Sequence, residues 1–123
     1  MNKFTDVTKT LFSFFGSLGY EVYLEGQISE NATFPYITIS YQLEEFGVDS
    51  LIQGQIWDKN ESRENVNKVS DELITIINNG IKIKINEDTG YLYLRRGSPF
   101  IQPINDIEGF QVNYFNVVMK SFY

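Results

Sequence analysis

Few stretches of this chain combine residue types with a spacing that chemistry could use. Asp58-x-Asn60-x-Ser62 opens like a calcium loop, in which alternating oxygen ligands wrap a hard cation. Arg63 stands where such a loop needs Gly, and Val69 stands where it needs a bidentate Glu, so the stretch reads as the polar start of a helix. Asn86-Glu87-Asp88 and Asn105-Asp106-x-Glu108 are short acidic clusters of the kind that make turns. No glycine-rich phosphate loop ends in Lys-Ser or Lys-Thr, and Gly16-Ser17-Leu18-Gly19 lacks the spacing of a nucleophile elbow. Glu44 and Glu45 are adjacent carboxylates, but neighbours in a strand point to opposite faces and do not share a substrate easily. The 123 residues include no His and no Cys. That removes Ser-His-Asp triads, thiol nucleophiles, Cys/His zinc sites and disulfides together. The expectation is a protein that is not an enzyme, with no catalytic residue, no metal and no cofactor.

Three features remain for binding rather than catalysis. Arg95 and Arg96 form an adjacent basic pair, suited to a carboxylate on a neighbouring subunit, to a touch on passing phosphate, or to the solvated end of a hairpin. Trp57 is the sole tryptophan and is expected in the core, at a strand–helix corner. Phe100 and Ile101 in a Pro-bounded loop, with Phe122 and Tyr123 near the other end of the last strand, are hard to bury within one small domain and are candidate interface residues.

The composition sets the frame. Hydrophobic residues make up 42% and aromatics 15%, enough for one folded core in a chain of 123 residues. Asp plus Glu (16) outnumber Lys plus Arg (10), and the net charge of -6 argues against a nucleic-acid binder held by phosphate contacts. The apolar patch at Leu11 to Phe15 is broken by Ser13 and Gly16, which makes a poor secretory signal. Nothing approaches the roughly 18 apolar residues of a membrane span.

These residues need elements to hold them. Phe4, Val7, Leu11, Phe14 and Leu18 form one stripe and predict a helix over about 3–18. Strands are expected at Tyr20 to Glu25, Tyr36 to Phe46 and Leu51 to Trp57. In the second, Ile37, Ile39, Tyr41 and Leu43 face the core, and Thr38, Ser40, Gln42 and Glu44 face solvent. Val66, Val69, Leu73, Ile76 and Ile77 predict a helix over about 60–78, with Asp58 and Glu61 spaced as a capping box. Ile81, Ile83 and Ile85 alternate with Lys82 and Lys84, and Tyr91 to Arg96 pairs back as a hairpin. Gly97 to Gly109, with Pro99 and Pro103, reads as a long loop. Phe110 to Phe122 is apolar on both faces and reads as a central strand covered on both sides. The order α-β-β-β-α-β-β-β predicts a single α+β domain over 1–123, with two helices on one face of a largely antiparallel sheet of about six strands.

Phe34-Pro35-Tyr36-Ile37-Thr38 opens the long strand, and Gln55-Ile56-Trp57-Asp58 leads into the second helix. A short hairpin, Arg95-Arg96-Gly97-Ser98-Pro99-Phe100-Ile101-Gln102 and a closing aromatic strand follow. In this order the features resemble the phage tail-terminator or tail-completion family, also called minor capsid or tail-component proteins. The resemblance spans most of the chain. It implies a structural virion protein of a long-tailed phage or prophage, at the head–tail junction and in the host cytoplasm during assembly. Its partners would be further copies in a homo-oligomeric ring, expected to be a hexamer, the tail-tube protein, and the head-completion or connector protein. DNA would pass through the ring without specific binding, and no membrane would be involved. Glu44, Glu45 and Asp49 would supply an acidic lumen or loop that lets DNA pass. Arg95, Arg96, Phe100, Ile101, Phe122 and Tyr123 would supply subunit or partner contacts. With a charge of -6 on each copy, salt is expected to favour assembly by screening repulsion. Another neck component, such as a head-closure or adaptor protein, and a small cytosolic enzyme or ligand-binding domain are the alternatives.

Overall fold

The computed structural model describes residues 3–59, 61–85, 90–104 and 107–122. The expected turn at Asn86 to Asp88, the pair Asn105 and Asp106, and Tyr123 lie outside the described residues. The chain runs α1 (Lys3–Gly16), β1 (Glu21–Leu24), β2 (Tyr36–Tyr41), β3 (Asp49–Asp58), α2 (Glu64–Ile77), β4 (Ile81–Lys84), β5 (Tyr91–Ile104) and β6 (Gln111–Phe122). The six strands form one sheet in the order β1-β2-β3-β6-β5-β4, parallel between β1 and β2 and antiparallel elsewhere. This is the α+β fold that the element order predicts.

Alternation decides which side of each strand meets the helices. Ile37, Ile39, Ile52, Ile56, Leu92, Leu94, Phe115, Val117 and Met119 share one cluster with Val7, Leu11 and Phe15 of α1 and with Val66, Val69, Leu73 and Ile77 of α2. The α2 stripe lands where its periodicity places it, with Ile76 partly buried. In α1 Val7, Leu11 and Phe14 do so and Leu18 is partly buried, whereas Phe4, at the start of the stripe, is 56% exposed and stacks on Tyr41. Gly54 makes the closest packing possible: a Cβ there would sit 2.1 Å from the Phe115 ring, which itself packs 5.6 Å from Phe15. Helix α1 touches both β1 and β4, the two edges of the sheet, so the sheet curls around it.

Several boundaries differ from the sequence expectations. β2 stops at Tyr41, because Gln42 to Val48 leaves the sheet and crosses to β6, where Gly47 N–H donates to Ser121 O at 2.7 Å. β3 starts at Asp49, two residues before the expected Leu51, because Asp49 and Ser50 pair with Lys120 and Met119. The Asp58–Glu61 capping box is not formed. α2 begins at Glu64, Ser62 Oγ accepts from Glu64 N–H at 2.9 Å, and Asp58 accepts from Asn65 Nδ2 at 2.9 Å. The loop expected over Gly97 to Gly109 is mostly strand. β5 continues to Ile104 through a register shift between Arg96 and Ile101. Phe100 and Ile101 are thus strand residues, half-buried against the core. β6 is central, as expected, but its outward side is only partly covered, with Tyr114 40% exposed.

Candidate functional site on the outer sheet face

Opposite the helices lies a face built from the alternate residues of the same strands. Register ties them into rows. Lys82, Tyr93, Lys120 and Asp49 form one row across β4, β5, β6 and β3, and Tyr91 pairs with Phe122 beside it. Arg95, Val118 and Leu51 form the next row. Towards the other end, Tyr114, Gln55, Thr38 and Tyr23 follow one another across β6, β3, β2 and β1.

One corner of this face is an aromatic cluster. Trp57 stacks over Tyr36 with centroids 6.4 Å apart and meets Phe110 edge-on at 5.6 Å. Phe34 lies against Tyr36 at 5.0 Å, and the Lys59 ammonium sits 5.4 Å from the Phe34 centroid. Trp57 is half-buried here, not in the core, because its parity in β3 turns it away from the helices. Its Nε1–H donates to Thr38 Oγ1 at 3.1 Å, and Thr38 donates in turn to Gln55 Oε1 at 2.5 Å. Thr38 was expected to face solvent. It is buried because the neighbouring rings and Gln55 cover it and satisfy its hydroxyl.

The opposite corner is aromatic and cationic. Phe122 stacks on Tyr91 at 4.9 Å and meets Phe46 edge-on at 5.5 Å. The Lys82 ammonium lies 4.5 Å from the Tyr91 centroid. Arg95 holds Asp49 with two hydrogen bonds of 3.2 and 2.6 Å, and Lys120 approaches the same carboxylate at 3.5 Å. The Arg95 hydrogen bonds hold the Asp49 carboxyl below the usual aspartate range and push the guanidinium up.

The candidate residues of the sequence separate in space. Arg95 and Arg96 do not act as a pair, because adjacent strand residues point to opposite faces. Arg96 turns to the helix side, where Nε donates to Asn78 O at 2.8 Å and the guanidinium lies 5.3 Å from the Phe100 ring. Arg95 is engaged with a carboxylate of its own chain, so Asp49 is an ion-paired residue. Glu44 and Glu45 are exposed in the loop after β2, beside Phe46, which is 66% exposed. Phe122 belongs to the cationic corner, while Phe100 and Ile101 lie along β5 towards the helix side.

Sequence reasoning missed one anchor. Arg63, named above only as the residue that breaks the calcium-loop pattern, reaches β6: it donates to Gln111 Oε1 at 3.1 Å, to Val112 O at 3.0 Å and to Asn113 Oδ1. Buried Asn113 donates to Ser70 Oγ at 2.8 Å, which ties β6 to α2. The signal available was polar Asn113 within an apolar strand, which a buried position must satisfy. Among the described residues no group of three or more acidic side chains is placed to hold a metal, and no helix is long and apolar enough to cross a membrane. A shallow groove of about 570 Å³ runs between α2 and the turn that follows α1, lined by Leu18, Lys68, Glu72 and Ile76 among others.

No protein-family profile matches the chain, and no curated protein matches it. Among solved structures, one chain whose name carries no function superposes with a TM-score of 0.65 at 9% identity. The match covers 97% of this chain and 92% of that one. At that identity the likeness concerns the fold alone.

Proposed function

We propose that this chain is a structural subunit of a long-tailed phage or prophage virion, forming a ring at the head-proximal end of the tail that stops tube growth and joins tail to head. The observation that carries the reading is the outer sheet face. Leu51, Tyr114 and Phe46 are 41%, 40% and 66% exposed on or beside it, and among the described residues none covers them fully. Large apolar side chains left open on a small domain favour a protein contact, and Phe4, Ile28 and Ile74 are also exposed away from this face. The order of the Phe34–Thr38, Gln55–Asp58 and Arg95–Gln102 segments, which resembles the tail-terminator family, supplies the kind of contact. Subunits of a ring need contact surfaces and no catalytic groups.

The test is assembly. Light scattering and negative-stain images of the purified protein, alone and with tail tubes, are expected to show closed rings capping one tube end. A species that stays monomeric at millimolar protein and leaves tubes uncapped would overturn the reading. Density for the chain at the head side of the junction, away from the tube end, would replace it with that of a head-closure or adaptor protein.

A further inference from the structure

The charges of this chain are sorted across its sheet. From Thr10 to Asp58, which spans β1, β2 and β3, the sequence has seven carboxylates and no Lys or Arg. Strands β4, β5 and β6 carry Lys82, Lys84, Arg95, Arg96 and Lys120 and no carboxylate. The order β1-β2-β3-β6-β5-β4 keeps the two sets in separate halves. On the outer face Lys82, Lys84, Arg95 and Lys120 gather at one side, with Asp49 at the seam pairing to Arg95 and Lys120. At the other side Glu21, Glu25 and Glu30 line β1 and the loop after it, all exposed. Glu21 stays ionised there, because the Tyr23 hydroxyl and the Thr33 N–H, at 3.0 Å, donate to it and lower its pKa.

We propose that the cationic β4–β5–β6 half of the outer face docks on the acidic β1 side of a second copy of this chain. This deepens the ring reading and rests on it. The two surfaces are different parts of the molecule, so the contact is heterologous: each copy offers one of each, and repetition closes a ring. The curl of the sheet around α1 turns the two halves of the outer face in different directions, so both can be occupied at once. Charge complementarity selects the partner. A second copy carries a net charge of -6 with its cation-free stretch at the matching side. Tyr91, Tyr93 and Phe122 stand among the cations and give the contact an apolar centre. The sign of the salt effect is then opposite to the one that net charge alone predicts: screening weakens an attraction between unlike halves although the whole molecules repel.

The experiment is complementary charge reversal in the full chain, read by sedimentation velocity and mass photometry. Variant one is Lys82→Glu/Lys84→Glu, and variant two is Glu25→Lys/Glu30→Lys. Glu21 is left intact because it holds Thr33. All four side chains are exposed, and circular dichroism checks each fold. Each variant alone is expected to lose self-association by at least about tenfold, and an equimolar mixture is expected to recover it as alternating rings of even number. Wild-type association is expected to fall by about tenfold between low and high salt, a reading that needs no variant. Rings that form as well in either variant as in wild type, or wild-type rings indifferent to salt, overturn this docking and leave the ring reading standing. Wild type that never associates, alone or on tail tubes, overturns both. Duplex DNA binding lost in variant one, with self-association unchanged, assigns the cationic half to nucleic acid instead.

Discussion

The two faces of the sheet are made from the same strands, one residue out of step, and they solve burial differently. On the helix side, Phe15, Leu11, Ile56 and Phe115 are fully buried, and packing holds them: the end of the Phe115 ring fills the place that a side chain at Gly54 would take. On the outer side no described helix packs, so the rings cover one another. Tyr36 reaches 6% exposure under Phe34, Tyr23 and Trp57, and burial pushes its phenol pKa up. What such self-covering cannot reach, at Tyr114 and Leu51, stays open. A face specified by packing tolerates little change. A face specified by rings and hydrogen bonds has surface left to offer a partner.

The sharpest way to break this contrast is at its tightest point. Phe115→Ala is expected to cost about 3–5 kcal/mol, since the ring is fully buried and leaves a cavity facing Gly54 and Phe15. Thermal melting would show a fall of about ten degrees or more. A smaller effect is expected across the sheet. Trp57→Ala should cost about 1–2 kcal/mol, through the rings it touches and the hydrogen bond to Thr38, rather than the roughly 3–5 kcal/mol of a core tryptophan. Melting curves of equal depth for the two variants would erase the distinction between the faces.

Asp49 tests the cationic corner by pH. Its folded pKa lies below the ordinary value because Arg95 donates to it, so its contribution is present above the unfolded pKa and fades as pH falls through the folded one. Stability of wild type is expected to decline below about pH 4 more steeply than that of Asp49→Asn, as followed by denaturant melts across the acid range. Parallel curves would mean that the Arg95 pairing is inconsequential at this exposed position. The smallest stability change is expected at Tyr114→Ser, within about 0.5 kcal/mol by urea titration. If that variant keeps its melting curve and loses ring formation, the open face is the contact. If it assembles normally, the contact avoids the centre of the face.

Where one residue type repeated at one period, the sequence was readable. Val66, Val69, Leu73 and Ile77 all land in the core, and Ile81 to Lys84 pairs with Tyr91 to Leu94 as the alternation implies. Legibility failed where tertiary context overrides a local sign. Pro99 and Pro103 read as loop residues, yet they sit in β5: Pro99 falls within the register shift, and Pro103 lies beyond Leu94, where β5 pairs with β6 alone. The register shift at Gly97, whose Cα lies so close to Asn116 that a Cβ would meet it at 2.8 Å, also suspends the period-two pattern there. Thr38 and Trp57 looked like a solvent residue and a core residue because parity says which face a side chain takes and not what covers that face. The charge sorting was visible in the letters, but it has meaning only once the strand order is known.

One more consequence lies in the place of β6. It occupies the middle of the sheet, with Asp49 facing Lys120 on one flank and Tyr91 facing Phe122 on the other, and it follows all its partners in the chain. While a ribosome is still making it, the acidic strands and the β4–β5 hairpin are two separate pieces, each with a long unpaired edge. The sheet closes only when the residues up to Phe122 have left the exit tunnel, and nascent copies on a crowded message carry exposed edges until then. Termination within residues 111–122 would release a chain with its central strand unfinished and the facing edges of β3 and β5 left open to pair with a neighbour.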